Sequence, residues 1–241
     1  MNRLRSGKTV GILGGMGPYA TALFFRNLLD LTPATKDWDH IHVVIDSDPT
    51  VPSRSRHFLF GEASPLPAMI EDCLRLVAYP VDFIVLPCNS ASYHLKELQA
   101  AVPIPVLDIF EVTVSALAAR VPQARSAAVL GGPITHRTRS YLPYLEARGI
   151  GYADHDDAVQ ARVEALIERT KLEAGSAAAR AALGELLSDV AAAGRADAVI
   201  LGCTEFGFLT GVECAVPVVD SSLELARRTV VLARPPAATV R

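Results

Sequence analysis

Two ten-residue stretches decide how this chain is read: FIVLPCNSAS at Phe83–Ser92 and AVILGCTEFG at Ala198–Gly207. Each is an apolar run, then a cysteine, then a small polar residue. Each also has an aspartate six residues before its cysteine, Asp82 before Cys88 and Asp197 before Cys203. Continuous apolar runs of this length suit strands covered on both faces, as in a parallel sheet. The same cysteine-bearing strand end is therefore built twice.

Other landmarks repeat around these two. TVGILGGMGPYAT resembles SAAVLGGPITHRT, pairing Gly14 with Gly131 and Thr21 with Thr138, each 117 residues on. Cys88 and Cys203 are 115 apart, and IPVLD pairs with VPVVD, Asp108 matching Asp220 at 112. An ordered series of landmarks at nearly one spacing marks an internal duplication. Candidate strands are Thr9–Leu13, His42–Asp46, Phe83–Leu86, Val106–Leu107, Ala127–Leu130, Ala198–Leu201 and Val216–Val219. Helix-length amphipathic segments lie between them, including Ala20–Leu31, Leu66–Val77, His94–Ala101, Val159–Lys171 and Ala177–Ala193. The alternation predicts an α/β protein of two similar lobes with mainly parallel sheets. The lobes are expected at 1–108 with 221–241, and at 109–220. The tail ARPPAATVR carries two prolines and is expected to fray.

Composition narrows the function. In 241 residues, half are apolar and 20% charged, with a net charge of -3. That balance has no nucleic-acid signature. No segment approaches the ~18–20 apolar residues of a membrane span. The basic start MNRLRSGKTVGILGGMG has too short an apolar run for a secretory signal, so a cytoplasmic protein is expected. Four cysteines without a C-x-x-C pattern suggest neither a disulfide scaffold nor a zinc site, and the six histidines show no metal-ligand spacing with them.

Both Cys88 and Cys203 fall just past the carboxyl end of a strand, where open α/β sheets bind ligands. Each is followed by residues typical of a helix start, whose partial positive charge favours a thiolate. A free cysteine is among the most buried residue types, so either one alone would read as core. Two at equivalent places in a repeat point to paired chemistry. Inverting a carbon centre through a planar intermediate needs one proton acceptor and one donor on opposite faces. A duplicated fold supplies both, one as thiolate and one as thiol.

The sequence resembles the cofactor-independent aspartate/glutamate racemases. The resemblance is carried by GILGGMGPYAT at Gly11–Thr21, VPSRS at Val51–Ser55, PCNSA at Pro87–Ala91 and LGCTE at Leu201–Glu205, with a weaker match at IERTK ending at Lys171. It implies two α/β lobes, a site in the cleft between them and no cofactor. It implies Cys88 and Cys203 as the acid/base pair, and Met16, Asn89, Ser90, Ala91, Thr135 and Thr204 as substrate contacts. Arg54, with Lys171, is implied as the cation for a side-chain carboxylate. It further implies a homodimer acting on a small amino acid, and a C-terminal helix packed on the first lobe. Three positions depart from the family pattern. Ser92 stands where a histidine is usual, the nearest histidine being His94; Ser90 replaces a threonine; and Ser53 replaces a common aspartate.

Aspartate is the first expected substrate and glutamate the second. Alternatives are a racemase or isomerase of another small carboxylate such as a hydantoin or maleate, and a binding protein that has lost turnover. GGMGPYA also fits the loose G-x-G-x-x-A dinucleotide pattern from Gly15 to Ala20, but that reading explains neither the cysteines nor the repeat.

Overall fold

The structure, a computed structural model, describes residues 7–194 and 196–234. The first six residues and the tail beyond Arg234, including its two prolines, lie outside the described residues.

The first lobe runs through β1 (Thr9–Gly14), α1 (Pro18–Leu31), β2 (His42–Ser47), α2 (Arg54–Phe60), α3 (Leu66–Val77), β3 (Phe83–Val85), α4 (Asn89–Ser92), α5 (Leu95–Ala101) and β4 (Val106–Leu107). The second contains α6 (Ile109–Arg120), β5 (Ser126–Gly131), α7 (Pro133–Arg137), α8 (Leu142–Glu146), β6 (Gly151–Ala153), α9 (Asp157–Glu173), α10 (Ala177–Ala192), β7 (Ala198–Gly202) and β8 (Val218–Asp220). Helix α11 (Ser221–Ala233) follows. The two four-stranded sheets have equivalent orders, β2-β1-β3-β4 and β6-β5-β7-β8, and every strand pair is parallel.

Strand alternation sorts the apolar runs into three cores. Val10, Ile12, Phe83 and Val85 face inward, as do Ala127, Val129, Ala198 and Ile200 of the other sheet. These meet a central layer made by α1, α6, α8 and α11. The intervening residues face outward: Leu13 and Ile84 onto α3 and α5, and Leu130 and Val199 onto α9 and α10. Each sheet is therefore covered on both faces, which is why its strands read as unbroken apolar runs.

The aspartates six residues before each cysteine fix the strand starts. Asp82 accepts the Thr9 backbone N–H at 2.6 Å, and Asp197 accepts those of Arg125 and Ser126 at 2.8 and 3.0 Å. Asp108 and Asp220, the last landmark of the repeat, are N-caps of α6 and α11, each accepting two backbone N–H groups. Helix α11 packs on α1, and Lys8 donates its N–H to the Ala233 carbonyl at 2.8 Å.

Three readings change. An eighth strand, β6, completes the second sheet; it is a three-residue edge strand beginning at Gly151, too short to show alternation. The segment after Cys88 is two helices, α4 and α5, divided at Tyr93–His94. The threonine packed against Gly131 is Thr135, whereas Thr21 packs against Gly14, so the repeated glycines use threonines at different spacings.

Candidate active site

The two cysteines leave their strands with similar backbones. Cys88 has φ −157° and ψ 109°, Cys203 φ −141° and ψ 128°; each is extended and each opens a short helical turn. Both line a single cleft of about 400 Å³ between the lobes. The β1–α1 loop closes one end. Gly15 has φ +87° there, and a Cβ would lie 2.3 Å from the Asp48 carbonyl carbon, so only glycine fits.

The surroundings of the two sulfurs differ. Burial raises the Cys88 thiol above its ordinary value, with Glu205 adding to the rise, and the Arg54 charge and the N–H groups of Ala91 and Ser90 offset this only in part. Cys203 is held well above its ordinary value, first by burial and then by Glu205. Its Sγ donates to Glu205 Oε2 at 2.9 Å, and Thr204 Oγ1 donates to the same oxygen at 3.3 Å. The Arg54 charge thus opposes the rise at Cys88, whereas the Glu205 charge adds to the rise at Cys203.

Met16, Arg54, Asn89, Ser90, Lys171 and Thr204 all line this cleft. Ala91 is fully buried and contributes its backbone N–H. Thr135 is 0% exposed and is not brought to the cleft wall; its methyl fills the space over Gly131 and Gly202, between β5 and β7. Arg54 Nη1 donates to the Val51 and Pro52 carbonyls, at 3.3 and 3.1 Å, and its Nη2 to Met16 at 3.3 Å. Arg56, two residues on, turns to Glu62. Ser92 Oγ bonds the Cys88 carbonyl at 2.9 Å, and His94 packs against the Tyr93 ring outside the cleft, so neither supplies a histidine to it. Among the described residues no group of three His, Cys, Asp or Glu stands where it could hold a metal ion.

Some cleft groups were not singled out from sequence. Glu205 lies inside the quoted LGCTE motif, where its residue type marks only a helix start. Glu168 lies inside IERTK and pairs with Lys171, Nζ to Oε1 2.6 Å. Burial alone would lower the Lys171 ammonium; Glu168, then Glu205 and Cys203, more than offset it, so its pKa is raised. Asn89 is locked from behind: Tyr141 donates to its Oδ1 at 2.6 Å, and its Nδ2 donates to Ser221 Oγ at 3.0 Å. Ser221 in turn donates to the Leu201 carbonyl at 2.8 Å, two residues before Cys203. This chain of bonds ties one cysteine-bearing strand end to the other. No local signal could have found it, because Tyr141 and Ser221 are 52 and 132 residues from Asn89.

The chain matches the Asp/Glu/Hydantoin racemase family over residues 13–229. It belongs to that family. It is 33% identical over 227 residues to the broad specificity amino-acid racemase RacX of Bacillus subtilis (strain 168), covering 92% of this chain and 96% of the relative. Among solved structures it is similar to Picrophilus torridus aspartate racemase, with TM-score 0.81, 28% identity and 93% of each chain covered. A glutamate racemase from Francisella tularensis, in complex with D-glutamate, shares the fold at 17% identity, with TM-score 0.65, covering 94% of this chain and 81% of that one. The chain is thus an isomerase of the amino-acid racemase type, and the cysteine cleft is the racemase's candidate active site.

Proposed function

We propose that this racemase inverts the α-carbon of an acidic amino acid, aspartate first and glutamate second, by passing its proton between Cys88 and Cys203 without a cofactor. The observation that carries this is the pair of thiols at equivalent strand ends of opposite lobes, opening into one cleft with opposite electrostatic neighbours.

In one direction the Cys88 thiolate takes the α-proton: the C–H bond breaks, an S–H bond forms, and the electron pair spreads into the substrate carboxylate. The Cys203 thiol then gives its proton to the opposite face and becomes the thiolate. Glu205 keeps Cys203 protonated until that moment. The reverse direction exchanges the roles. Arg54 and the N–H groups of Ser90 and Ala91 favour the anion on Cys88, and Arg54 faces the substrate's side-chain carboxylate.

The test is α-proton exchange. Wild-type protein incubated with L-aspartate in D₂O should lose the Cα–H signal and form the D-enantiomer. Cys88→Ser and Cys203→Ser should each nearly abolish racemisation, since a hydroxyl is too weak an acid or base near neutral pH. Near wild-type turnover in either variant would falsify the two-thiol mechanism. Turnover should also persist in EDTA and without added pyridoxal phosphate; loss with the chelator, restored by metal, would reject cofactor independence. A hydantoin or maleate, offered in parallel, checks the alternative substrates.

The lobe division at 108/109 and 220/221, a homodimer and a cytoplasmic location are parts of the same proposal. The division is supported by the separate sheets, and the dimer by the family resemblance. Among the described residues no helix is long and apolar enough to cross a membrane. Light scattering behind a sizing column reads the mass against the 25.7 kDa chain.

A further inference from the structure

We infer that the Glu168–Lys171 pair in the cleft wall sets the range of side chains this enzyme accepts, and that the range includes cationic and neutral amino acids beside acidic ones. The inference rests on the racemase reading and extends it to substrate class.

The charges of the cleft are unevenly distributed. The first lobe presents Arg54, which has no carboxylate partner among the described residues and whose buried Nε has no hydrogen-bond acceptor. The second lobe presents one cation, Lys171, facing two carboxylates, Glu168 and Glu205. Glu205 is 7% exposed and committed to Cys203. Glu168 lies one turn before Lys171 on α9, and the side chains of the two are 71% and 46% exposed.

An ion pair this exposed is weak and opens readily. When the pair opens, Glu168 returns to water and Lys171, half-buried, keeps Glu205 near it, so neither charge is left without solvent or an opposite charge. An acidic side chain can therefore take Lys171 and leave Glu168 to solvent. A cationic side chain can take Glu168 and leave Lys171 to solvent. A neutral one leaves the pair closed. A wall holding Lys171 alone would repel a cationic side chain, and Glu168 removes that repulsion.

The experiment measures aspartate, lysine and alanine in wild type, Glu168→Gln and Lys171→Met. Kcat/KM is read by α-proton exchange, and equilibrium binding by calorimetry. Alanine has no side-chain charge and serves as the reference for both ratios. Wild type should bind and exchange lysine. In Glu168→Gln the lysine-to-alanine ratio should fall about fivefold while aspartate-to-alanine rises. In Lys171→Met both changes should reverse sign, because Glu168 is released. Ratios that stay within about twofold in both variants, or a wild type that neither binds nor exchanges lysine, overturn the inference. Opposite shifts in the binding ratios with no exchange of any amino acid would sink the racemase mechanism and leave the charge-sorting wall standing. Exchange of aspartate alone would do the converse.

Discussion

Cys88 and Cys203 share a backbone geometry and differ in what faces their sulfurs. A carboxylate 2.9 Å from Cys203 favours the thiol, so removing its charge should lower that thiol's pKa. In Glu205→Gln, alkylation of Cys203 by iodoacetamide should therefore rise at lower pH than in wild type, while the Cys88 profile moves less. An unchanged Cys203 profile would mean that burial alone holds the thiol protonated. Arg54 makes a different prediction. A dicarboxylic substrate needs a cation for its second carboxylate, and leaving that group unpaired in a cleft costs several kcal/mol. Arg54→Ala should lower kcat/KM for aspartate by at least about 2 kcal/mol, roughly thirtyfold, with a much smaller loss for alanine. Equal losses for both would show that Arg54 braces the Met16 and Val51–Pro52 carbonyls and does not read the side chain. The cysteines, Arg54 and Lys171 stand in motifs visible in the sequence, and the fold brings all four to one cleft. Glu205 was in plain view, but its role depends on a side-chain approach that spacing does not encode.

At the scale of elements, helix α11 begins at a cap that is itself a pH-sensitive group. Burial raises the Asp220 carboxyl from 3.8 to about 6; the N–H groups of Leu223 and Ser222 oppose this, and Glu224 adds to it. The folded state thus holds this proton more tightly than the unfolded chain does. Stability from this group is fully present below the unfolded value of 3.8 and is lost as pH rises toward about 6. Asp220→Asn keeps an oxygen for the cap and removes the buried charge. Its Tm should exceed wild type by roughly 5 °C at pH 7.5 and converge with it near pH 4. A variant that melts lower at pH 7.5 would show that the charged cap outweighs its burial. Elements covered on both faces were readable as apolar runs, and α3 and α9 as helix-length segments. Helix α6 was not singled out as amphipathic, because it lies in the central layer between two sheets and buries Ile109, Phe110, Val112, Val114 and Leu117 on most of its circumference. Strand β6 escaped because a three-residue edge strand forms only where β5 offers a partner.

Across the whole molecule the lobes share one interior. The central core takes residues from both sheets and from α11, where Leu225 is fully buried. Leu225→Ala should cost about 2–5 kcal/mol, and in calorimetry both lobes should still unfold in one transition. Two separated transitions would mean that the shared layer does not couple them. Ser221→Ala should cost about 1–3 kcal/mol by orphaning the Asn89 amide and the Leu201 carbonyl, and should lower kcat more than it raises KM, because it loosens both thiol-bearing strand ends at once. The duplication, the parallel strands and the two cysteines at their ends were written in the sequence, since period, composition and motif are local properties of a chain. Which charge faces which thiol was settled by side-chain packing within each lobe, and the bond chain from Tyr141 through Asn89 and Ser221 to Leu201 only when the lobes closed on one another. Those contacts join residues up to 132 positions apart, and their strength depends on burial that no single stretch of sequence contains.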